Sequence, residues 1–101
     1  MDPGKPEKFQ TADVVRSTAG RDQGKLFYVL DTDDQYLFLV NGKDRPLDKP
    51  KRKKCKHVQK VLRSETRVAE KLIAGDKVIN SELRRDLAFL ARQMQSNNLG
   101  G

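Results

Sequence analysis

Two dense apolar runs stand out along the chain, Lys25-Leu26-Phe27-Tyr28-Val29-Leu30 and Gln35-Tyr36-Leu37-Phe38-Leu39-Val40, separated by the polar tetrad Asp31-Thr32-Asp33-Asp34. Their aromatic and branched side chains predict two β-strands joined by a turn. Upstream, Val14-Val15 opens a shorter apolar stretch. The small, polar, glycine-bearing segment Ser17-Thr18-Ala19-Gly20-Arg21-Asp22-Gln23-Gly24 then reads as a loop. After Val40, Asn41-Gly42 carries the signature of a type I′ hairpin turn. Pro46 and Pro50 make the next piece an edge strand or irregular. A last short strand is expected from Lys53 to Val58, with Arg52, Lys54 and Lys56 on one face and Cys55 and His57 on the other.

Four or five short strands within about fifty residues predict a small barrel or curled sheet. The best strands are apolar on both faces, with Leu26, Tyr28 and Leu30 on one side and Phe27 and Val29 on the other. A sheet with one wet face would alternate more cleanly, so a second layer must cover it. The C-terminal part supplies candidates. Ser64 is placed to cap a helix through Glu65 to Ala74, with Val68, Leu72 and Ile73 as its apolar stripe and Gly75 just past its end. Val78 and Ile79 are expected to be buried in the connector. Ser81 is placed to cap a second helix whose Leu83, Leu87, Leu90 and Met94 recur on one face, widened by Phe89 and Ala91. The organisation expected is a flexible arm over residues 1–10, a strand-rich unit over 11–60, a helical extension packed on it over 61–95, and a disordered tail over 96–101.

Charge changes the picture. The chain of 101 residues carries a net charge of +7. Between Lys43 and Lys60, nine Lys/Arg face only Asp44 and Asp48, whereas the rest of the chain balances twelve against twelve. The whole excess is one local patch, and a concentrated positive surface attracts a polyanion, nucleic acid first. One domain is expected from the length. The single cysteine, Cys55, excludes an internal disulfide and favours a reducing, cytoplasmic setting. No apolar stretch approaches the ~20 residues of a membrane span, and the N-terminus has no secretory h-region.

Val14 to Val40 resembles the KOW motif, which alternates apolar and polar residues around a glycine at its eleventh position. Counting Val14 as the first residue puts Gly24 eleventh and Val40 twenty-seventh. The stretch Val15-Arg16-Ser17-Thr18-Ala19-Gly20-Arg21-Asp22, Asn41-Gly42-Lys43 and the lysine run look like bacterial KOW-domain RNA-binding proteins. Those are related to the archaeal and eukaryotic large-subunit ribosomal protein of the fourteen-e type. Lys71-Leu72 to Leu87 looks like their helical extension. The resemblance spans about residues 11–95. It implies a mainly β fold, a small SH3-like (KOW) barrel followed by a two-helix C-terminal appendage. It also implies RNA binding, chiefly to large-subunit ribosomal RNA, by a monomer that has ribosomal proteins as further candidate partners.

The candidate RNA-contacting residues fall in two segments. In the loop, Gly20 and Gly24 allow close backbone approach, Ser17 and its neighbours offer N–H groups to a phosphate, and Arg16, Arg21 and Lys25 bring charge. In the basic run, the candidates are Lys51, Arg52, Lys53, Lys54, Lys56 and His57. Phe27, Tyr28, Tyr36 and Phe38 are conceivable stacking platforms, but they sit in dense apolar strands and are assigned to the core. Catalysis finds little support. Cys55 and His57 form a Cys-x-His pair without further metal ligands or an orienting carboxylate, and no Gly-rich nucleotide loop is present. No enzyme activity, metal or cofactor is expected. The alternative is a protein-interaction adaptor using the barrel and helices. DNA binding by the helices as a helix-turn-helix fits their apolar stripes less well.

Overall fold

The computed structural model describes residues 8–99. Five antiparallel strands form one sheet: β1 (Asp13–Ser17), β2 (Leu26–Asp33), β3 (Tyr36–Val40), β4 (Lys51–Lys54) and β5 (Val58–Arg63). Their order is β4-β3-β2-β1-β5, and two helices follow, α1 (Arg67–Ala74) and α2 (Asn80–Leu99). The outer strands β4 and β5 pair only with β3 and β1, so the sheet is open where a closed barrel was expected. The expected strand from Lys53 to Val58 is also divided. A 3₁₀ turn over Cys55–His57 ends β4 and carries the chain across to β5 at the opposite edge.

Both sheet faces are apolar, as the strand sequences require, and each is buried differently. On one face Val14, Tyr28 and Val40 pack with Val68, Ala69 and Leu72 of α1 and Leu83, Leu87 and Leu90 of α2. On the other face Val15, Phe27, Val29, Leu37, Leu39 and Val58 form a second cluster, joined by Phe9 and Cys55. Among the described residues no further layer covers this face, yet Val15, Phe27, Val29 and Leu39 have no exposure at all. The sheet must therefore curl over its own side chains. A bulge in β2 between Val29 and Asp31 lets Leu30 pack with the helix-side cluster while Asp31 moves on to pair with Phe38.

The helix ends differ from the sequence expectation in instructive ways. Thr66, not Ser64, caps α1, its hydroxyl accepting from Ala69 N–H. Ser64 is buried, because Tyr28 Oη reaches it at 2.8 Å. Gly75 ends α1 in the left-handed region, with its own N–H to Leu72 O and Asp76 N–H to Lys71 O, the paired bonds of a Schellman cap. At the start of α2, Glu82 reaches back to accept from Ile79 N–H. Ile73, Ile79 and Phe89, expected inside, are 56%, 48% and 46% exposed.

Asn41-Gly42 does not make a two-residue hairpin. Ala12 is the one non-glycine described with positive φ, so Asn41 lacks the conformation that a type I′ turn demands. Instead Asn41 Oδ1 accepts from the N–H groups of Lys43 and Arg45, starting the loop that leads to β4. Gly42 sits under α2, where a Cβ would meet Asn80 O at 2.2 Å. At the chain ends, residues 8–10 are tied down: Phe9 packs on the second cluster and Lys60 Nζ donates to Lys8 O. Residues 1–7 of the expected arm and Gly100 and Gly101 of the expected tail lie outside the described residues. α2 runs to Leu99, beyond the Gln95 at which the helical extension was expected to end.

Candidate nucleic-acid interface

The basic run owes its geometry to alternation. β4 pairs with β3 in the register Tyr36↔Lys54, Leu37↔Lys53, Phe38↔Arg52 and Leu39↔Lys51. Directly paired residues share a face, so Arg52 and Lys54 stand with Phe38 and Tyr36, while Lys53 stands with the buried Leu37. Arg52 and Lys54 are exposed, and Lys53 is buried. Its amine ends at Asp22 Oδ1 (2.6 Å) and Ala19 O (2.7 Å). Ser17 Oγ donates to the same Asp22 oxygen at 2.8 Å. Burial pushes the Asp22 carboxyl up, but hydrogen bonds from Lys53 and Ser17 and the Lys53 charge outweigh it, and the net shift is downward. Lys53 and Ser17 thus build the loop from beneath.

The loop above them is fastened by its own backbone. Gly24 N–H donates to Ser17 O, Lys25 N–H to Asp22 O, Gln23 N–H to Gly20 O and Thr18 N–H to His57 O. With Ser17 N–H also donating to Lys25 O, four of the eight N–H groups from Ser17 to Gly24 are spent, so the expected phosphate cradle keeps only those from Ala19 to Asp22. The Thr18–His57 bond and the Lys53–Ala19 bond bring the loop against the 3₁₀ turn and β4. Arg21 and Lys56 are exposed and His57 is half-buried, its carbonyl engaged by the loop. Gly20 and Gly24 both have positive φ; Gly24 faces open space, while a Cβ on Gly20 would sit 3.4 Å from Lys53 Nζ.

Three candidates lie elsewhere. Lys25 Nζ is held 2.7 Å from Asp44, whose carboxyl that amine and Asn41 hold at a pKa of about 2. The pair borders an open groove of about 570 Å³ floored by Leu26, Leu87 and Ala88 and rimmed by Lys43 and Arg84. Arg16 pairs with Leu26 and Gln59 on β1, next to the inward-turned Ser17 and half-buried. Lys51 is half-buried opposite Leu39. The structure therefore leaves Arg52 and Lys54 exposed on one face of β4, Lys56 and the half-buried His57 in the turn that follows, and Arg21 exposed in the loop that Lys53 reaches from the other face. It sends Ser17 and Lys53 inside and sets Lys25 with the groove.

The aromatic assignment divides as well. Phe27 and Tyr28 are fully buried. Tyr36 and Phe38 are only partly buried and belong to neither apolar cluster. The Arg52 guanidinium lies over the Tyr36 ring, 3.6 Å from its centre. The signal was available in the sequence: Leu37 and Leu39 alternate with Tyr36 and Phe38, so only one pair can face the second cluster.

The one thiol is poorly placed for chemistry. Cys55 packs half-buried against the second cluster, and burial pushes its pKa up, away from the thiolate that nucleophiles and metals use. Among the described residues, no group of three or more His, Cys, Asp or Glu is placed to hold a metal ion, and no helix is long and apolar enough to cross a membrane. Comparison with protein-family models and with curated proteins gave no match.

Proposed function

We propose that this protein is a non-catalytic RNA-binding domain that docks on structured RNA, with large-subunit ribosomal RNA as the target and a ribosomal or ribosome-associated role in the cytoplasm. One observation carries the reading: Arg21, Arg52, Lys54 and Lys56 are exposed, and none forms an ion pair among the described residues. Unpaired cations on a rigid support attract phosphates without first breaking an internal bridge. The 3₁₀ turn that carries the chain from one sheet edge to the other supports reading the sheet as an SH3-like, KOW-type barrel left open between β4 and β5. Sedimentation of lysate through a sucrose gradient, with crosslinking and sequencing of bound RNA, tests this. Co-migration with large subunits and crosslinks at β4 are expected. A protein that stays at the top of the gradient without crosslinked RNA would overturn it.

The adaptor reading has its own observation. Ile79 and Phe89 are about half exposed on the helical side, and Phe89 lines a shallow pocket with Val68, Glu82, Arg85 and Asp86. A protein partner on that side would bind with little salt dependence, whereas RNA at β4 must release counterions and weaken steeply with salt.

A further inference from the structure

We infer that the outer face of β3 and β4 is a stacking platform for unpaired RNA bases, so that the RNA bound there is single-stranded loop or bulge rather than duplex. This rests on the RNA-binding reading and specifies its ligand. Three observations converge on it.

First, Tyr36 and Phe38 are large aromatic residues on a sheet face that the helices cover only at its other end. Val40, next along the same face of β3, is buried with α2, whereas Phe38 and Tyr36 are outside both clusters. A sheet needs no two partly exposed rings for stability in that position. Second, Arg52 is already stacked on Tyr36 at 3.6 Å. A planar guanidinium placed over a ring can offer its other face to a base, and part of the cost of ordering that side chain is met before RNA arrives. Third, the surrounding charge is graded across the platform. Lys54, paired with Tyr36, and Arg52, paired with Phe38, line one side. Asp33, paired with Tyr36, and Asp31, paired with Phe38, line the other. Phosphates are drawn to the β4 side and repelled from the β2 side. A strand lying along β4 would therefore turn its bases inward, over Arg52, Tyr36 and Phe38.

A duplex cannot use such a surface, because its bases are stacked inside and only phosphates and groove edges are presented. Stacking also adds affinity without charge, which separates it experimentally from the lysines.

The test is fluorescence anisotropy with two probes, an unstructured ten-nucleotide RNA and a twelve-base-pair RNA duplex, each over a salt series. The double variant Tyr36→Val, Phe38→Val puts strand-favouring β-branched residues in place of the rings and is checked by circular dichroism and thermal melting. Single-strand affinity is expected to fall about tenfold or more, as for the loss of a stacked base. The salt slope and duplex binding should stay as in the parent. In parallel, Tyr36→Trp puts the sole tryptophan of the chain on the platform, since the sequence has none. Its emission should be quenched by the single strand and not by the duplex. If the double variant binds the single strand like the parent, or if saturating single strand leaves the tryptophan emission unchanged, the platform is overturned while RNA binding stands. If the parent binds neither probe at low salt, both the platform and the functional reading fall.

Discussion

Lys53 and Asp22 meet at 2.6 Å under the β1–β2 loop, with side chains only 9% and 8% exposed, although Lys53 belongs to the most basic segment of the chain. One lysine of the run is thus a structural member, and substitutions along the run fall into two kinds.

Lys53→Gln should cost about 3 kcal/mol or more in urea unfolding, because it leaves a buried carboxylate without its partner. Arg52→Gln and Lys54→Gln, on the exposed face, should stay within about 0.5 kcal/mol of the parent. Equal effects at Lys53 and Lys54 would contradict the register of β4.

Acid should expose the same pair. The Asp22 carboxyl is held below its ordinary 3.8 in the folded protein. Its contribution is therefore present above the unfolded value and lost as pH falls through the folded one. In Asp22→Asn the fall in melting temperature below about pH 4 should be shallower than in the parent. Parallel curves would show that other carboxylates dominate.

The RNA affinity should respond to the outward cations alone. Replacing Arg52, Lys54 and Lys56 together by Gln removes three charges, and the slope of log affinity against log salt for single-stranded RNA should become shallower by roughly two. Circular dichroism should be unchanged. An unaltered slope would move the binding site elsewhere.

Gly42 and Gly24 offer a contrast. Both have positive φ, but a Cβ at Gly42 meets Asn80 O at 2.2 Å, whereas one at Gly24 meets nothing within 4 Å. Gly24→Ala should cost about 1–2 kcal/mol from backbone strain alone. Gly42→Ala should cost clearly more, because the start of α2 must also move. Its displacement would break the bond from Leu47 N–H to Asn80 Oδ1. Equal melting temperatures for the two variants would refute the close approach.

Tyr28 joins the sheet to the start of α1 and to the body of α2. Its hydroxyl hydrogen-bonds with Ser64 Oγ at 2.8 Å and with the Asp86 carboxylate, to which Thr66 also donates at 2.8 Å. Burial, reinforced by Asp86, pushes the Tyr28 pKa up from 10.0 to about 12. The folded state keeps a proton that the unfolded chain releases, so this stability is full below pH 10 and drains as pH rises to about 12. Tyr28→Phe should lose about 1–3 kcal/mol at neutral pH and flatten the alkaline decline. A variant with an unchanged alkaline decline would assign that decline to other groups.

What the sequence made legible was whatever depends on near neighbours. β2 and β3 follow from their own composition, and Gly75 ends α1 because a left-handed residue is needed there. The placement of Leu83, Leu87 and Leu90 follows from helical period. What it hid depends on residues far along the chain. Ser64 looks like a cap until Tyr28, 36 positions earlier, takes its hydroxyl. Asn41-Gly42 looks like a hairpin until Asn80 presses on the glycine. A count of charge treats Lys51 to Lys54 alike, whereas pairing with Leu37 turns Lys53 inward, its long apolar stem making that burial feasible. The same register turns Tyr36 and Phe38 outward.

Among the described residues, the open sheet leaves one side of β4 without a neighbouring strand, and the residues there read Lys-Arg-Lys-Lys. An unpaired ladder of N–H and C=O groups is a template on which a second copy could add a strand and begin to aggregate. Lysines at such a margin repel an identical margin, so the charge proposed to draw RNA would also keep copies of this protein apart. Bound RNA would cancel that repulsion but cover the template itself. On the RNA-binding reading, the protein would be guarded against self-association in both states, by charge when free and by its ligand when bound.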